Sequence, residues 1–246
     1  MGNRTFAIFA ISLITQASFA QLKNVQRNNQ QWIQYYGQIE LTDKWNILPD
    51  GGFRWQDRFN EKGIFIARIG VGYDLNKKLR VTTGIASTGA YSPTGLRRLE
   101  FRPYQELFSS SNLGKLRVHH RLRIEERFYK RILNGDIVNG HDFNFRFRYQ
   151  FSLSIQIIKI DYKNPNRILS LNVSDEIFIN AGKEIVYNYL DKNRLVIGPS
   201  VQWNKNINVG IFYNFQFSQL NTPMSYAIDD VIWFTIRHHM NIAKAE

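Results

Sequence analysis

Residues 141–155, HDFNFRFRYQFSLSI, decide the fold because their side chains alternate between two chemistries. The odd positions hold large apolar residues, namely Phe143, Phe145, Phe147, Tyr149, Phe151, Leu153 and Ile155. The even positions hold polar residues, namely Asp142, Asn144, Arg146, Arg148, Gln150, Ser152 and Ser154. Only an extended chain places alternate side chains on one face. The stretch therefore predicts a β-strand with one apolar and one polar face.

The length of this strand favours a membrane setting. Fifteen extended residues span about 50 Å at roughly 3.3 Å per residue, whereas strands of soluble proteins usually have about five or six residues. The apolar face is expected to meet lipid and the polar face an interior. The alternative is a soluble β protein in which the aromatic face is a buried core.

Residues 1–20 have the features of a secretory signal peptide. Arg4 gives a positive start, residues 5–14 are apolar, and Ala-Ser-Phe-Ala ends at Ala20 with small residues at the cleavage positions. The apolar run is too short to cross the roughly 30 Å of bilayer hydrocarbon. We therefore predict a signal peptide at 1–20 and one barrel domain at 21–246.

Composition narrows the class of partner. The chain has no cysteine and a formal net charge of +12. In a cytoplasmic protein this charge would suggest nucleic acid, but export predicts anionic lipid head groups, acidic glycans or a cation-rich interior instead. The mean hydropathy of −0.35 excludes a helical membrane protein. It suits a transmembrane barrel, since half of each strand faces an aqueous interior.

The two-residue alternation repeats along the chain, with no segment of helical period. Eleven strands are predicted at 32–41, 45–58, 63–74, 79–88, 98–108, 115–130, 141–155, 167–180, 194–203, 207–218 and 230–240. This pattern predicts an all-β fold, a single antiparallel transmembrane up-and-down β-barrel. Because bacterial single-chain barrels have an even strand number, we expect about 12 strands, with 10 as the alternative. A twelfth strand is expected near 183–191 or 221–229.

Short and long connections alternate, as in outer-membrane barrels whose periplasmic turns are short. The longer connections are predicted at 88–97, 131–140, 181–192 and 219–229. Aromatic residues lie beside the short turns and predict a girdle at one membrane interface. The girdle residues are Trp45, Tyr73, Phe108 and Trp203.

With the apolar faces turned to lipid, arginine and glutamate are predicted to face the lumen. The planar guanidinium group of arginine donates paired hydrogen bonds to carboxylates, so these residues predict a charge network in the lumen. The network comprises Arg54, Arg58, Arg68, Glu100, Arg102, Glu106, Arg121, Arg123, Glu125, Arg127, Arg146, Arg148, Glu176 and Arg194. A barrel of ten to twelve strands is intermediate in width between barrels that side chains fill and barrels that enclose an open channel. The pairs could thus fill a narrow barrel, or their arginine surplus could favour anions in a pore.

Catalytic, cofactor-binding and metal-binding constellations are not evident. The histidines are His119, His120, His141, His238 and His239. The adjacent pairs point to opposite faces, and no serine stands beside His119 on its own face. We therefore predict no enzyme and no cofactor, with a membrane-embedded lipid hydrolase as the alternative.

Several diffuse sequence elements occur in a fixed order. They are Trp32, Lys44-Trp45, Phe53-Arg54-Trp55, Glu100-Phe-Arg102, His120-Arg-Leu-Arg-Ile-Glu-Glu-Arg127, Arg146-Phe-Arg-Tyr149, Glu176-Ile-Phe178 and Asn193-Arg194. In this order the mature chain resembles a family of Gram-negative outer-membrane barrels described only as a domain of unknown function. The resemblance implies the barrel fold and the outer membrane, and supplies no catalytic residues.

Together these features predict an outer-membrane β-barrel reached through the periplasm. Its function is expected to be a narrow anion-leaning pore or a structural or surface protein. The alternatives are the lipid hydrolase and a soluble periplasmic β protein that binds acidic ligands. The expected partners are the bilayer, anionic outer-leaflet lipids and the barrel assembly machinery, without nucleic acid.

Overall fold

The computed structural model describes residues 23–138, 142–161 and 166–243, which form β-strands joined by turns and loops. No helix able to cross a membrane occurs in this part of the chain. The predicted signal peptide lies outside it. The strands are β1 (Asn24–Glu40), β2 (Trp45–Gln56), β3 (Glu61–Asn76), β4 (Leu79–Ser92), β5 (Gly95–Leu113), β6 (Leu116–Leu133), β7 (Asp136–Ile137), β8 (Asp142–Lys159), β9 (Ile168–Ala181), β10 (Leu190–Gln202), β11 (Ile207–Gln219) and β12 (Ser225–Asn241).

The strands close into one barrel. Its order is β5-β4-β3-β2-β1-β12-β11-β10-β9-β8-β6, and β6 returns to pair with β5. The two-residue strand β7 pairs only with β6 and stands outside the ring. The prediction of an all-β barrel with about twelve strands is therefore confirmed, with eleven strands in the closed ring and one short extra strand among the described residues.

Closure of this ring requires one pair of parallel neighbouring strands, here called the parallel seam. Consecutive barrel strands run antiparallel, so with eleven of them the first and last strands point the same way. β1 and β12 pair in parallel along their whole length, from Asn24 opposite Ser225 to Glu40 opposite Asn241. The strand expected near 183–191 or 221–229 is not needed, because the parallel seam takes its place. Every other neighbouring pair in the ring is antiparallel.

The two ends of the barrel carry different connections. One end, here called the turn end, carries the connections 41–44, 77–78, 114–115 and 203–206. The opposite end, the loop end, carries 57–60, 93–94, 182–189 and 220–224. Asn24 also lies at the loop end, where its backbone N–H donates to the carbonyl of Met224 at 3.0 Å.

The exposure of the side chains of β8 follows the alternation seen in the sequence of residues 141–155. Its outward residues Phe145, Phe147 and Tyr149 are 38%, 43% and 40% exposed, whereas the inward Arg146 and Arg148 are only 6% and 7% exposed. This distribution inverts that of a soluble protein, in which exposed positions are mostly polar. The aromatic wall is therefore the outside of the barrel and the arginine row is its inside.

One connection and the end of one strand differ from the prediction. The connection predicted at 88–97 is mostly strand, because β4 and β5 leave only residues 93–94 between them. The strand predicted to reach residue 58 ends at Gln56. Asp57, Arg58 and Phe59 then adopt left-handed φ angles of 44°, 54° and 71°, and the Asn60 N–H donates to the Asp57 carbonyl at 3.0 Å. Such residues end a strand, since positive φ is incompatible with extended pairing.

The parallel seam predicts a specific cross-link. Gln26 and Ala227 face each other across β1 and β12, and paired strands lie about 4.8 Å apart, within the roughly 4.4–6.8 Å that a disulfide spans between Cα atoms. The double variant Gln26→Cys/Ala227→Cys should oxidise to a disulfide, seen as a mobility shift on a non-reducing gel. No native cysteine interferes.

The control pair is Gln26→Cys/His239→Cys, which places the second cysteine near the other end of β12. It should stay reduced in the folded protein. Cross-linking of the control pair, with none in the first pair, would contradict the parallel arrangement.

Candidate functional site

A cavity of about 1270 Å³ occupies the lumen. Its lining runs from Lys115 and Lys205 in the connections of the turn end to Asn188 in a connection of the loop end. Among the described residues that line it are sixteen lysines and arginines and only five aspartates and glutamates. The lumen is thus a polar space with a large excess of positive charge.

The carboxylate of Glu125 is the centre of the ion pairs in this lumen. It is fully buried and lies within 4 Å of four arginines. Arg146 Nε donates to Oε2 at 2.8 Å and Arg148 Nη1 donates to Oε1 at 2.6 Å. Arg102 and Arg123 lie farther away, at 3.6 and 3.8 Å. One carboxylate therefore holds together arginines from three neighbouring strands, β5, β6 and β8.

Glu176 on β9 repeats this arrangement two strands further round the barrel, beyond β8. Its Oε1 accepts hydrogen bonds from Arg121 at 2.7 Å and from Arg148 at 2.6 Å. Its Oε2 lies 3.6 Å from Arg194 on β10. Arg148 bridges Glu125 and Glu176, so the two clusters are parts of one network.

The same network extends toward both ends of the barrel through further acids. Glu100 accepts from Arg102 and Arg127, Glu106 accepts from Arg123, and Asp191 accepts from Arg146. These contacts join side chains of β5, β6, β8, β9 and β10, here called the charged wall. The charged wall comprises Glu100, Arg102, Glu106, Arg121, Arg123, Glu125, Arg127, Arg146, Arg148, Glu176, Asp191 and Arg194.

The strands β2, β3 and β4 form a less charged wall. It carries the isolated pairs Arg68–Asp50 and Arg80–Asp74 and several small residues. A Cβ on Gly70 or Gly84 would lie 2.5–2.6 Å from the Tyr104 side chain, so only glycine leaves room for this tyrosine to lie against the wall. These ion pairs connect adjacent strands within the wall and do not cross the lumen, so the cavity remains open beside them.

Aromatic side chains also point inward beside the parallel seam. Trp32 is 1% exposed and meets Trp233 edge to face, with ring centroids 5.3 Å apart. Phe212 packs on Trp233 at 6.4 Å. A Cβ on Gly198 or Gly210 would come within 2.5–2.7 Å of Phe212 atoms. These aromatics form a small internal core that joins β11, β12 and β1.

Three lumen arginines stack on aromatic rings and form no ion pair with the described residues. Arg54 lies 3.8 Å from the Trp32 ring centroid. Arg98 lies 5.2 Å from that of Tyr129, and Arg237 lies 4.7 Å from that of Tyr36. Cation–π contacts orient these guanidinium groups without neutralising them. They therefore contribute directly to the positive excess.

The structure brings together the predicted charge network with one exception. Arg58 lies in the left-handed turn after β2 and is exposed outside the lumen, for the backbone reason given above. The other predicted network residues face the lumen or are buried in its wall. They are Arg54, Arg68, Glu100, Arg102, Glu106, Arg121, Arg123, Glu125, Arg127, Arg146, Arg148, Glu176 and Arg194.

Of the predicted girdle, three residues lie on the outside near the turn end. Trp45 and Tyr73 face each other on β2 and β3 with ring centroids 4.8 Å apart, and Trp203 is exposed at the start of the connection 203–206. Phe108 instead lines the cavity and stacks on His119 at 5.2 Å. Its position follows from alternation, since it shares a face with the inward Glu106 two residues earlier.

Some site residues were not predicted. Asp50 could have been found, because alternation counted back from Arg54 places it inward. Trp32 shares a face with the inward Gln34, so the same count finds it. Asp191 was assigned to a connection, and the register shift between Leu190 and Lys192 breaks the alternation that would have revealed it.

The described histidines contact tyrosine, phenylalanine or glutamate. His119 stacks on Phe108 as described, and His120 Nδ1 lies 2.9 Å from the Tyr149 hydroxyl. His238 Nδ1 lies 3.3 Å from a tyrosine hydroxyl, and His239 Nε2 lies 2.7 Å from the Glu40 carboxylate. Among residues 23–138, 142–161 and 166–243, no group of three or more metal-ligating side chains could hold a metal ion. His141 lies outside the described residues.

Removal of the Glu125 charge should destabilise the barrel strongly. Glu125→Gln leaves four buried arginines without their shared counter-charge, and loss of one partner of a buried pair costs about 3–5 kcal/mol. The free energy of unfolding, measured by urea titration in detergent, should fall by this amount. Asp142→Asn removes the carboxylate of the exposed Arg131–Asp142 pair and should cost less than about 1 kcal/mol. Equal losses for the two variants would refute a central role for Glu125.

Comparison with known proteins places the chain in a family. No curated protein matches the sequence. A solved structure titled "NanC porin structure in rhombohedral crystal form" is similar, with a TM-score of 0.41 and 14% sequence identity over 72% of this chain and 77% of that chain. The family described as "Protein of unknown function (DUF2490)" matches residues 29–226. The chain belongs to this DUF2490 family.

Proposed function

We propose that the protein is an outer-membrane barrel whose lumen is a narrow aqueous pathway that favours anions. The observation that carries this proposal is the charge of the cavity lining, with sixteen basic and five acidic side chains. Even with the fully buried Glu125 added to the acids, a large positive excess remains. Fixed positive charge in a cavity with low-dielectric walls attracts anions and repels cations.

The outer surface supports a location in the membrane. Large apolar side chains are exposed around the ring, including Ile69 on β3, Leu122 on β6 and Ile211 on β11. Contiguous apolar surface of this extent is unusual for a monomeric soluble protein. Trp45 and Trp203 lie near the turn end, where aromatic residues would meet the bilayer interface. With the predicted export signal, these features favour the outer membrane, with lipid and the barrel assembly machinery as partners.

The shape of the cavity favours passage over complete filling. An eleven-stranded ring is wider than the eight-stranded barrels that side chains fill and narrower than open porins. The charged wall pairs its side chains along neighbouring strands, and the cavity lining reaches connections at both ends. A small solute therefore has a continuous polar surface to follow. The proposal includes no catalytic step.

Ion selectivity in planar bilayers tests this proposal. In a potassium chloride gradient, the reversal potential of the wild-type protein should show preference for chloride. The double variant Arg98→Gln/Arg237→Gln removes two lumen charges that have no acidic partner, and should reduce this preference. The chosen arginines only stack on tyrosines, so their loss exposes no buried carboxylate.

A matched control removes two charges from the outer face. Arg27 and Lys130 are exposed, and their sequence parity places them opposite the lumen side of β1 and β6. The variant Arg27→Gln/Lys130→Gln should keep the wild-type reversal potential. A cation preference in the wild-type protein, or equal effects of the two double variants, would argue against the proposal.

A further inference from the structure

Arg54 occupies an unusual position in the lumen. Its guanidinium lies over Trp32, whose indole Nε1–H donates to Gln30 Oε1 at 2.8 Å. The indole is 1% exposed and packed against Trp233. Arg54 is therefore held against a fixed ring, and its Nε–H is buried without a hydrogen-bond partner.

Other arginines surround Arg54. Arg194, Arg68 and Arg102 act on it electrostatically, together with the Tyr36 hydroxyl. Each of these three has an acidic partner, in Glu176, Asp50 and Glu100 respectively. Arg54 forms no ion pair within the described part of the chain. Arg54 is half-buried, and a negative charge on a solute would offset the cost of its desolvation.

Two further cations lie close to Trp32 or to Phe178. Arg194 lies 5.1 Å from the Trp32 ring centroid, on which Arg54 also stacks, and its Nε donates to Gln216 Oε1 at 3.0 Å. Lys192 lies 6.0 Å from the ring centroid of Phe178, and Arg194 lies 5.1 Å from that same ring. Arg54, Lys192 and Arg194 all line the cavity, so a solute in the lumen can reach them.

We propose that Arg54, with Arg194 and Lys192 beside it, forms a binding site for one carboxylate or phosphate group of a small anion. The planar guanidinium fork matches the paired oxygens of both groups. Trp32 fixes the fork in place, so less side-chain freedom is lost on binding. The inference rests on the proposed anion pathway and names the class of solute that binds within it.

Isothermal titration calorimetry of the detergent-solubilised protein tests the site. The probes are inorganic phosphate and acetate, titrated separately. The probe with the lower dissociation constant identifies the preferred group. Arg54→Gln keeps the side-chain length but removes the fork and the charge. The dissociation constant of the preferred probe should rise about tenfold or more, as expected for loss of a charge-assisted bidentate contact.

The matched control is Arg80→Gln, another lumen arginine whose charge is already paired with Asp74 at 2.7 Å. It should raise the dissociation constant by less than about threefold. If Arg54→Gln does not fold, Arg54→Lys carries the same test, since it keeps the charge, loses the fork and should still weaken binding at least fivefold. No saturable binding of either probe, or equal weakening by the Arg54 and Arg80 variants, overturns the site.

The two proposals fail in distinguishable ways. Binding that depends on Arg54 in a protein without anion-selective conductance supports the site and rejects the pathway. Anion-selective conductance in a protein without such binding rejects the site alone.

Discussion

The ion pairing of Glu125 is the interaction on which the interior of the barrel depends. Arginines converge on this fully buried carboxylate from neighbouring strands. Two unit charges about 4 Å apart interact by about 4 kcal/mol at an effective dielectric constant of about 20. Without the carboxylate, several such repulsions would act inside one ring. The cluster therefore allows a basic lumen to coexist with a closed barrel.

The direction of the ion pairs also decides what space the lumen retains. Pairs that crossed the barrel from wall to wall would fill it. The observed pairs connect adjacent or nearly adjacent strands, such as Arg148 on β8 with Glu176 on β9. The charges thus stabilise the wall that carries them and leave a cavity beside it. Aromatic side chains take the corresponding role at the seam, where Trp32 and Trp233 pack between strands that pair in parallel.

Alternation along each strand was enough to predict the fold and most of the lumen. The eleven strands of the ring correspond to the eleven predicted segments, because a period of two is a local property of the sequence. The same alternation placed Arg146 and Arg148 inside and Phe145 and Phe147 outside. It failed where the backbone departs from an extended conformation, as at Arg58 in its left-handed turn and at Asp191 beside a register shift.

Other features could not be predicted because they depend on closure of the whole ring. The even strand number of other barrels predicts a further strand in the ring, whereas this ring closes with an odd number through the parallel pairing of β1 and β12. The partners of an arginine are likewise set by the stagger between strands. Arg121 on β6 reaches Glu176 on β9 across the intervening β8, a contact that no sequence spacing specifies.

The proposed arrangement places water in the lumen and lipid against the aromatic face. Thiol accessibility at adjacent residues of β8 tests it most directly, because the chain has no cysteine of its own. In lipid vesicles, Ser152→Cys, which lines the cavity, should react with a membrane-impermeant anionic thiol reagent. Phe151→Cys, on the opposite face, should stay protected until detergent replaces the bilayer. Reaction at residue 151 with protection at residue 152 would contradict the account and make the aromatic face the water-exposed side.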